Sequence, residues 1–524
     1  MPHPPVLIAG AGPTGLVLAL SLARRGVPFR LVDAAAGPGE HSRAVVVHAR
    51  TLEFYGQLGF ADEVVAAGVK VERATLREGD GRGRGRELVS VPFGDLGAGL
   101  SPYPFPLAYP QDDHERLLLA HLRAAGHDVE WNTRLTDFTQ DDGGVTATLE
   151  RGHKGEGAGA AQEVVRADYL CGCDGAHSAV RRSLALGFPG GTYPQRYFVA
   201  DVCIAGGFAR DLVVGLGEHA FALLLPVRST GMQRLIGIVP PHLAEVESLG
   251  FDDLRGDVQP LVGVEVTEVH WFSAYRVHHR VAERFRVGRA FVLGDAGHLH
   301  SPAGGQGMNT GIGDAVNLAW KLAMVAEGRA APALLDTYEA ERIGFARTLV
   351  ATTDRAFTQM VAGGLRGEFT RRVAVPLLFA AGTRFPIGRH AFFRTVSQTQ
   401  IEYEESPLSA GRAGHVRGGD RLPWLAPADG HGTDNFAPLR SMEWQVHVYG
   451  AVDVALRRAC EALGLAVHGF AWGNAAADAG LARDAAYLVR PDGHVALAWP
   501  GQQAATLQAF VDRWRLRFAG AATA

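Results

Sequence analysis

Three short stretches combine residue types and spacings that could hold a nucleotide. The first is Gly10-x-Gly12-x-x-Gly15, with Pro13 and Thr14 between the last two glycines and Asp33 further along. Small residues let the backbone approach a pyrophosphate, and a helix starting there offers free N–H groups and the positive end of its dipole. Asp33 would accept ribose hydroxyls. A structural glycine turn is the alternative, and six such residues alone say little without their flanking elements. The second stretch is Asp295 within GDAGHLHSPAGGQGMNTGIGDAVNLAWKLA. A carboxylate at a strand end can accept a polyol hydroxyl, Gly304, Gly305 and Gly307 leave room beneath a planar ring, and a helix from about Ile312 would aim its N-terminal dipole at that ring's edge. The third runs from Cys171 through Asp174 and Gly175 to Ser178. Its Cys-x-Cys lacks a second ligand pair at zinc-like spacing, so its cysteines read as strand thiols and Asp174 and Gly175 as the functional candidates.

These residues need elements to position them. Val6 to Ala9 reads as a strand, Gly10 to Gly15 as a turn, Leu16 to Arg25 as a helix closed by Gly26, and Phe29 to Val32 as a second strand ending at Asp33. That is a βαβ unit and implies a parallel sheet. Residues 44 to 67 and 113 to 125 carry helical apolar stripes. Gly81 to Arg86 alternates Gly and Arg and reads as a solvated hairpin or loop without a role. From about 181 to 275 short β-like runs dominate, among them Tyr197 to Ile204, Ala220 to Val227 and Arg234 to Val239, with few convincing helices. Strand and helix patterns return at 288 to 350, so the sheet is read as an insertion into a discontinuous first domain. Gly411 to Asp420 reads as a linker, followed by a strand at Gln445 to Tyr449, a helix at Val452 to Leu463, and a hairpin signal through Pro491-Asp492-Gly493.

The composition is that of a globular protein, with 47% hydrophobic and 20% charged residues in 524. A net charge of -4 gives no pull toward nucleic acid or acidic lipid, which leaves a small molecule as the expected partner. Four cysteines make no disulfide framework and are expected as buried thiols in a reducing cytoplasm. No stretch approaches the roughly 20 apolar residues of a membrane span.

On these motifs the chain resembles the class A FAD-dependent monooxygenases, the para-hydroxybenzoate hydroxylase-like group, and especially its phenol and polyketide hydroxylases. The resemblance covers residues 4 to 350 and weakly the C-terminal unit. It implies an α/β fold: a Rossmann-like FAD-binding domain over 1–180 and 276–375, a mainly β-sheet substrate domain over 181–275 with part of 76–110, and a C-terminal thioredoxin-like α/β domain over 400–524. It also implies that Gly10, Gly12, Pro13, Thr14, Gly15 and Asp33 hold the ADP half, that Arg43 and Gln111 flank the flavin, that Asp295 holds ribitol, and that Pro302 to Asn309, including Gly307, Met308 and Asn309, forms the loop under the ring. Asp174 matches a second fingerprint associated with both FAD and NAD(P)H. The sequence departs from the family in carrying Asp33 where many members have Glu, which shortens the reach to ribose, and Ser301 where a second proline is common. The C-terminal unit has no Cys-x-x-Cys and only Cys460, so packing or homodimerisation is expected of it, not redox work.

The implied chemistry is hydroxylation of an aromatic substrate, phenolic or polyketide, through a flavin C4a-hydroperoxide, with FAD tightly bound and NADPH or NADH as transient co-substrate with O2. No second glycine fingerprint follows a strand, so the nicotinamide has no domain of its own. Baeyer-Villiger oxygenation and an oxidase or reductase without oxygen insertion are the alternatives. His298, His300, Tyr193 and Tyr197 are candidate bases, each more often structural, and the catalytic base stays unassigned. His278-His279 and His298-x-His300 lack partner ligands, and no metal is expected.

Overall fold

In a computed structural model the described residues are 4–40, 44–79, 85–152, 161–217, 221–228, 230–301, 303–361, 377, 379, 385–427 and 432–518. The first layer is a five-stranded sheet in the order Arg286–Val287, Ala290–Val292, Tyr169–Gly172, Val6–Ala9, Phe29–Val32. Its runs VLIA, YLCG and AFV are apolar throughout because helices or loops cover both faces, and this is the signature of parallel pairing. All neighbours are parallel except the edge pair Arg286–Val287 with Ala290–Val292. Helix Pro13–Arg24 carries the chain from Val6–Ala9 to Phe29–Val32, and its residues from Gly15 to Leu22 are all buried. The next strand added on the other side of Val6–Ala9 is Tyr169–Gly172, so the strand order reverses at Val6–Ala9. A crevice opens at such a switch point, outside the C-terminal strand ends.

Local chemistry redraws several expected elements. The helical pattern over 44–67 is a short strand, Val46–Val47, then helices Ala49–Leu58 and Ala61–Ala67; Gly59, at φ +95°, ends the first of them. The second stretch's helix begins at Gln306, not near Ile312, and runs to Ala326 against helix Pro13–Arg24.

The inserted unit is an eight-stranded sheet, ordered His298–Leu299, Val266–Val281, Gly190–Ile204, Gln233–Ile238, Phe221–Pro226, Asp211–Leu216, Arg73–Gly79, Gly85–Pro92. Strand Val266–Val281 runs past residue 275, where the sequence pattern had ended the sheet. The pair Arg73–Gly79 and Gly85–Pro92 flanks the Gly/Arg tract antiparallel, with residues 80–84 outside the described set. Helix Phe251–Val262 covers one face, unforeseen because Gly256 and Pro260 interrupt its pattern.

The C-terminal sheet has the order Val416–Arg417, Ala410–Ala413, Val495–Trp499, Ala486–Val489, Gln445–Tyr449, Ala466–Phe470. Its last four strands, in a βαβ unit followed by an antiparallel hairpin, have the thioredoxin arrangement. The tract Gly411 to Asp420 is not a linker: Ala410–Ala413 pairs with both Val416–Arg417 and Val495–Trp499.

This unit docks on the first through buried charge. Arg490 grips Glu341 at 2.8 and 2.9 Å, Lys321 reaches the same carboxylate at 2.8 Å, and Asp492 accepts from Arg490 and from Trp320 Nε1. Burial pushes the Glu341 carboxyl up, but Arg490 and Lys321 outweigh it and hold it down at about 2. Removing one partner from such a set leaves an uncompensated buried charge, which makes the docking geometry specific.

Candidate dinucleotide site

The site forms where the three motif stretches meet. Gly10, at φ +102°, sits so close to Cys173 that a Cβ would fall on the Cys173 carbonyl, and a Cβ on Gly15 would fall on the Gly10 carbonyl. These two glycines serve close packing of turn, helix and strand. Gly12 differs: nothing lies within 4 Å of its Cβ position. Its backbone therefore faces open space at the N-terminus of helix Pro13–Arg24, where the first-turn N–H groups have no partner within the helix. Asp33 closes the turn, its Oδ2 accepting from Ala11 N at 2.6 Å and its Oδ1 from Ala35 N at 2.8 Å. The open cradle beside a carboxylate fits the ADP half of a dinucleotide.

The second stretch meets the same turn edge-on. Gly294, at φ +58°, and Gly311 each lie against Thr14: a Cβ would stand 2.7 Å from Thr14 Oγ1 at Gly294, and nearer still at Gly311. Thr14 thereby joins helix Pro13–Arg24 to helix Gln306–Ala326, and Asp295, one residue beyond Gly294, is exposed beside it. Arg181 links the third stretch to the second, donating to Ala296 O at 2.8 Å and Ala176 O at 2.7 Å. Asp174 caps the helix Ala179–Ser183 by accepting from Ala179 N at 2.6 Å and Val180 N at 3.1 Å, while its Oδ1 is a buried atom without a hydrogen-bond partner. One oxygen thus works structurally, and the other makes no hydrogen bond within the protein.

The glycine loop is braced by His48, which no motif contained, and by the side chain of Asn309, expected beneath the ring. His48 Nε2 donates to Gly304 O at 3.0 Å, and burial pushes its pKa down to about 4, so the ring is neutral at neutral pH. Asn309 donates to Val46 O and Gly305 O and accepts from His48 N and Thr51 Oγ1, all at 2.8 to 2.9 Å. Its side chain is fully engaged inside the protein, so any cofactor contact of Asn309 is through its backbone. Gly307 and Met308 are half-buried in the first turn of the helix. Gln111 Nε2 donates to Glu115 Oε1 at 2.8 Å, and Glu115 Oε2 accepts from Gly39 N at 3.0 Å, so Gln111 fixes the segment leading toward Arg43. Arg43 and Pro302 lie outside the described residues.

Among the candidate bases, His298 is committed: its Nε2 bonds Asp314 Oδ2 at 2.8 Å, and the same carboxylate accepts from Gly294 N at 3.0 Å and Arg342 Nε at 2.6 Å. Burial pushes the Asp314 carboxyl up, but Arg342 and His298 prevail and hold it below its ordinary range. Arg342 continues to Tyr403 Oη at 2.9 Å, so the chain entering the C-terminal unit braces the turn carrying Asp295. The sequence signal for Asp314 is that it is the single acid in helix Gln306–Ala326. His300 differs from His298. Its Nδ1 donates to Ser301 O at 2.8 Å, its Nε2 is a buried atom without a hydrogen-bond partner, and burial lowers its pKa to about 4. Tyr193 and Tyr197 are buried in a small cluster with Ile238 and Val277.

One face of the inserted sheet looks toward this site. Cross-strand register aligns Val214 with Leu223, Leu223 with Ile236, Ile236 with Val199, Val199 with Ser273, and Tyr197 with Tyr275. Half-buried Leu212, Leu223, Trp271 and Tyr275 pack there, together with Val46, against a buried cluster that includes Val45, Ala49 and Phe393. Val46 also abuts the glycine loop, 2.9 Å from where a Gly305 Cβ would be. The buried Arg234–Asp201 pair, at 2.7 and 2.8 Å, holds this wall to the first domain through Ala44 O. An apolar, aromatic wall thus meets the loop on which a planar ring would rest.

Comparison with known proteins gives a consistent picture. Residues 3–353 match the family model described as an FAD binding domain. The chain is 35% identical to 6-methylpretetramide 4-monooxygenase of Streptomyces rimosus, over 96% of this chain and 92% of that one. It is 30% identical to pentachlorophenol 4-monooxygenase of Sphingobium chlorophenolicum, over 80% and 75%. Its fold superposes on the flavin-dependent monooxygenase PieE, solved with FAD and substrate, with a TM-score of 0.78 at 25% identity and 98% coverage of both chains.

Proposed function

The chain belongs to the FAD-binding-domain family of flavin-dependent monooxygenases, and from that premise we propose that it hydroxylates an aromatic ring of phenolic or polyketide type with bound FAD, NAD(P)H and O2. The observation that carries the reading is the open cradle at Gly12 beside Asp33, meeting an exposed Asp295 and an apolar aromatic wall across one glycine loop. The chemistry FAD supplies when bound is two-electron uptake from NAD(P)H and transfer of one oxygen atom from O2 to the substrate.

The residues then divide the work. Gly12, Pro13 and Thr14 receive the pyrophosphate on a helix N-terminus that Gly15 packs against the turn, Asp33 takes the ribose, and Asp295 takes the ribitol chain. Gln111 and Arg43 flank the ring, as the family resemblance implies. The loop from Pro302 through Gly307 and Met308 to Asn309 lies under it, and the dipole of helix Gln306–Ala326 favours negative charge at its edge. Asp174 serves through its second carboxylate oxygen. Leu212, Leu223, Trp271 and Tyr275 hold the substrate ring against the loop and keep water out, which orientation and a water-sensitive oxygen transfer both require. His300, neutral with Nε2 unpartnered, can accept a hydrogen bond from a substrate hydroxyl, but burial makes its ring too weak a base to take the proton, and the catalytic base stays unassigned.

The test is anaerobic mixing of the purified protein with NADPH or NADH, with and without a panel of phenols and aromatic polyketides, following loss of flavin colour. Strong acceleration by one aromatic supports the reading and names the substrate class. Equal reduction with no aromatic, followed by peroxide alone when O2 is admitted, would replace it with an oxidase or reductase.

A further inference from the structure

Away from the flavin site, two adjacent strands bring three metal-ligating side chains together on the inserted sheet. Cys203 is in strand Gly190–Ile204, and Glu268 and His270 are in its antiparallel neighbour Val266–Val281. Cys203 stands opposite Glu268 in the ladder, which puts the two on one face. Between them and the next pairs the register slips: Val202 faces Val269 but Asp201 faces Trp271, leaving His270 as the extra residue of a bulge. A bulge re-aims the side chain it carries. Here Cys203 Sγ is 3.3 Å from His270 Nε2, and Glu268 Oε2 is 3.6 Å from the same nitrogen.

We propose that Cys203, Glu268 and His270 form a reversible Zn2+ site. With Zn–S of about 2.3 Å and Zn–N and Zn–O of about 2.0–2.2 Å, the donors of a tetrahedral zinc stand about 3.4–3.6 Å apart. The two separations from His270 Nε2, 3.3 and 3.6 Å, lie close to those edges, and all three donor atoms lie within 4.8 Å of one another. Exposed Glu268 supplies the remaining adjustment by rotating its side chain, and solvent takes the fourth position. A thiolate, an imidazole and a carboxylate together suit zinc better than magnesium or calcium, which take oxygen donors. Cys203 is the half-exposed member of the four cysteines, since Cys171, Cys173 and Cys460 are buried. The site sits one residue from Trp271 in the apolar wall, so an ion there pins the bulge on which that wall is mounted.

The test is equilibrium dialysis of the FAD-loaded, full-length protein against zinc, with the bound metal measured by elemental analysis. A parallel arm follows the rate of iodoacetamide alkylation at Cys203 by peptide mass spectrometry. The expected result is about one zinc per chain, binding weaker by roughly tenfold or more in both Cys203→Ser and His270→Gln, and zinc protecting Cys203 from alkylation. Both variants lie at the sheet surface, and unchanged FAD content verifies that they fold. Zinc uptake unaltered by either substitution, no uptake by the unmodified protein, or alkylation of Cys203 at the same rate with and without zinc overturns the proposal.

Discussion

Substituting Gly12 separates a ligand cradle from a structural turn. The backbone of Gly12 is extended, at φ -71° and ψ -177°, which alanine adopts without strain, and nothing lies within 4 Å of the added methyl. Gly12→Ala should therefore leave the apoprotein as stable or raise its stability by about 0.4–1 kcal/mol through the unfolded chain. The same methyl projects into the space the pyrophosphate would fill. Displacing it from one or two backbone N–H groups costs about 3 kcal/mol at about 1.5–3 kcal/mol for each bond to a charged group, on the order of 100-fold in the FAD dissociation constant. Gly15→Ala is the control, because its methyl collides with the Gly10 carbonyl and should destabilise the apoprotein by about 1–3 kcal/mol or more. The assay pairs urea unfolding of both apoproteins with titration of flavin fluorescence. If Gly12→Ala binds FAD as tightly as the parent, the cradle does not hold the cofactor there and the reasoning fails.

Three further outcomes are expected. Asp314→Ala leaves Arg342 buried without its carboxylate and unties Gly294 N, so it should cost about 3–5 kcal/mol in urea unfolding and release FAD on gel filtration, with Asp314→Asn intermediate. Trp271→Ala removes about half of a large aromatic contact, about 2 kcal/mol and roughly 30-fold in the dissociation constant of whichever aromatic accelerates reduction, with FAD affinity unchanged. Acid should weaken the protein in two stages. His48, His300 and His494 are held near 4, below their ordinary 6.5, so the unfolded chain binds more protons between those values and stability falls as pH drops from about 6.5 toward 4. Glu341, held at about 2, adds a loss below about 4.5 that continues toward 2; urea midpoints measured across this range that stay flat would contradict both assignments.

What the sequence made legible was local. Gly10, Gly12, Gly15 and Asp33 lie within one βαβ unit, where strand, turn and helix follow from apolar runs and glycine, and the strands Val6–Ala9, Phe29–Val32 and Gln445–Tyr449 have the limits expected for them. What escaped depends on partners distant in the chain. His48 reaches the expected loop residue Asn309 across 261 residues, and Arg342 and Tyr403 reach Asp314 from elements that no spacing rule connects to it. Glycine also misled in both directions. Gly304 and Gly305, each with positive φ, sit directly before helix Gln306–Ala326 and made its start look later, while Gly411 and Gly414 shape a paired hairpin that composition suggested was a linker.

The central claim is that one atom of O2 enters an aromatic substrate at this site. The most direct measurement supplies isotopically labelled O2 to the protein with FAD, NAD(P)H and the aromatic that most accelerates flavin reduction, and weighs the product by mass spectrometry. One labelled oxygen in a hydroxylated ring is the predicted result. Labelled peroxide with the aromatic recovered unchanged, or a product whose new oxygen comes from water, would contradict it.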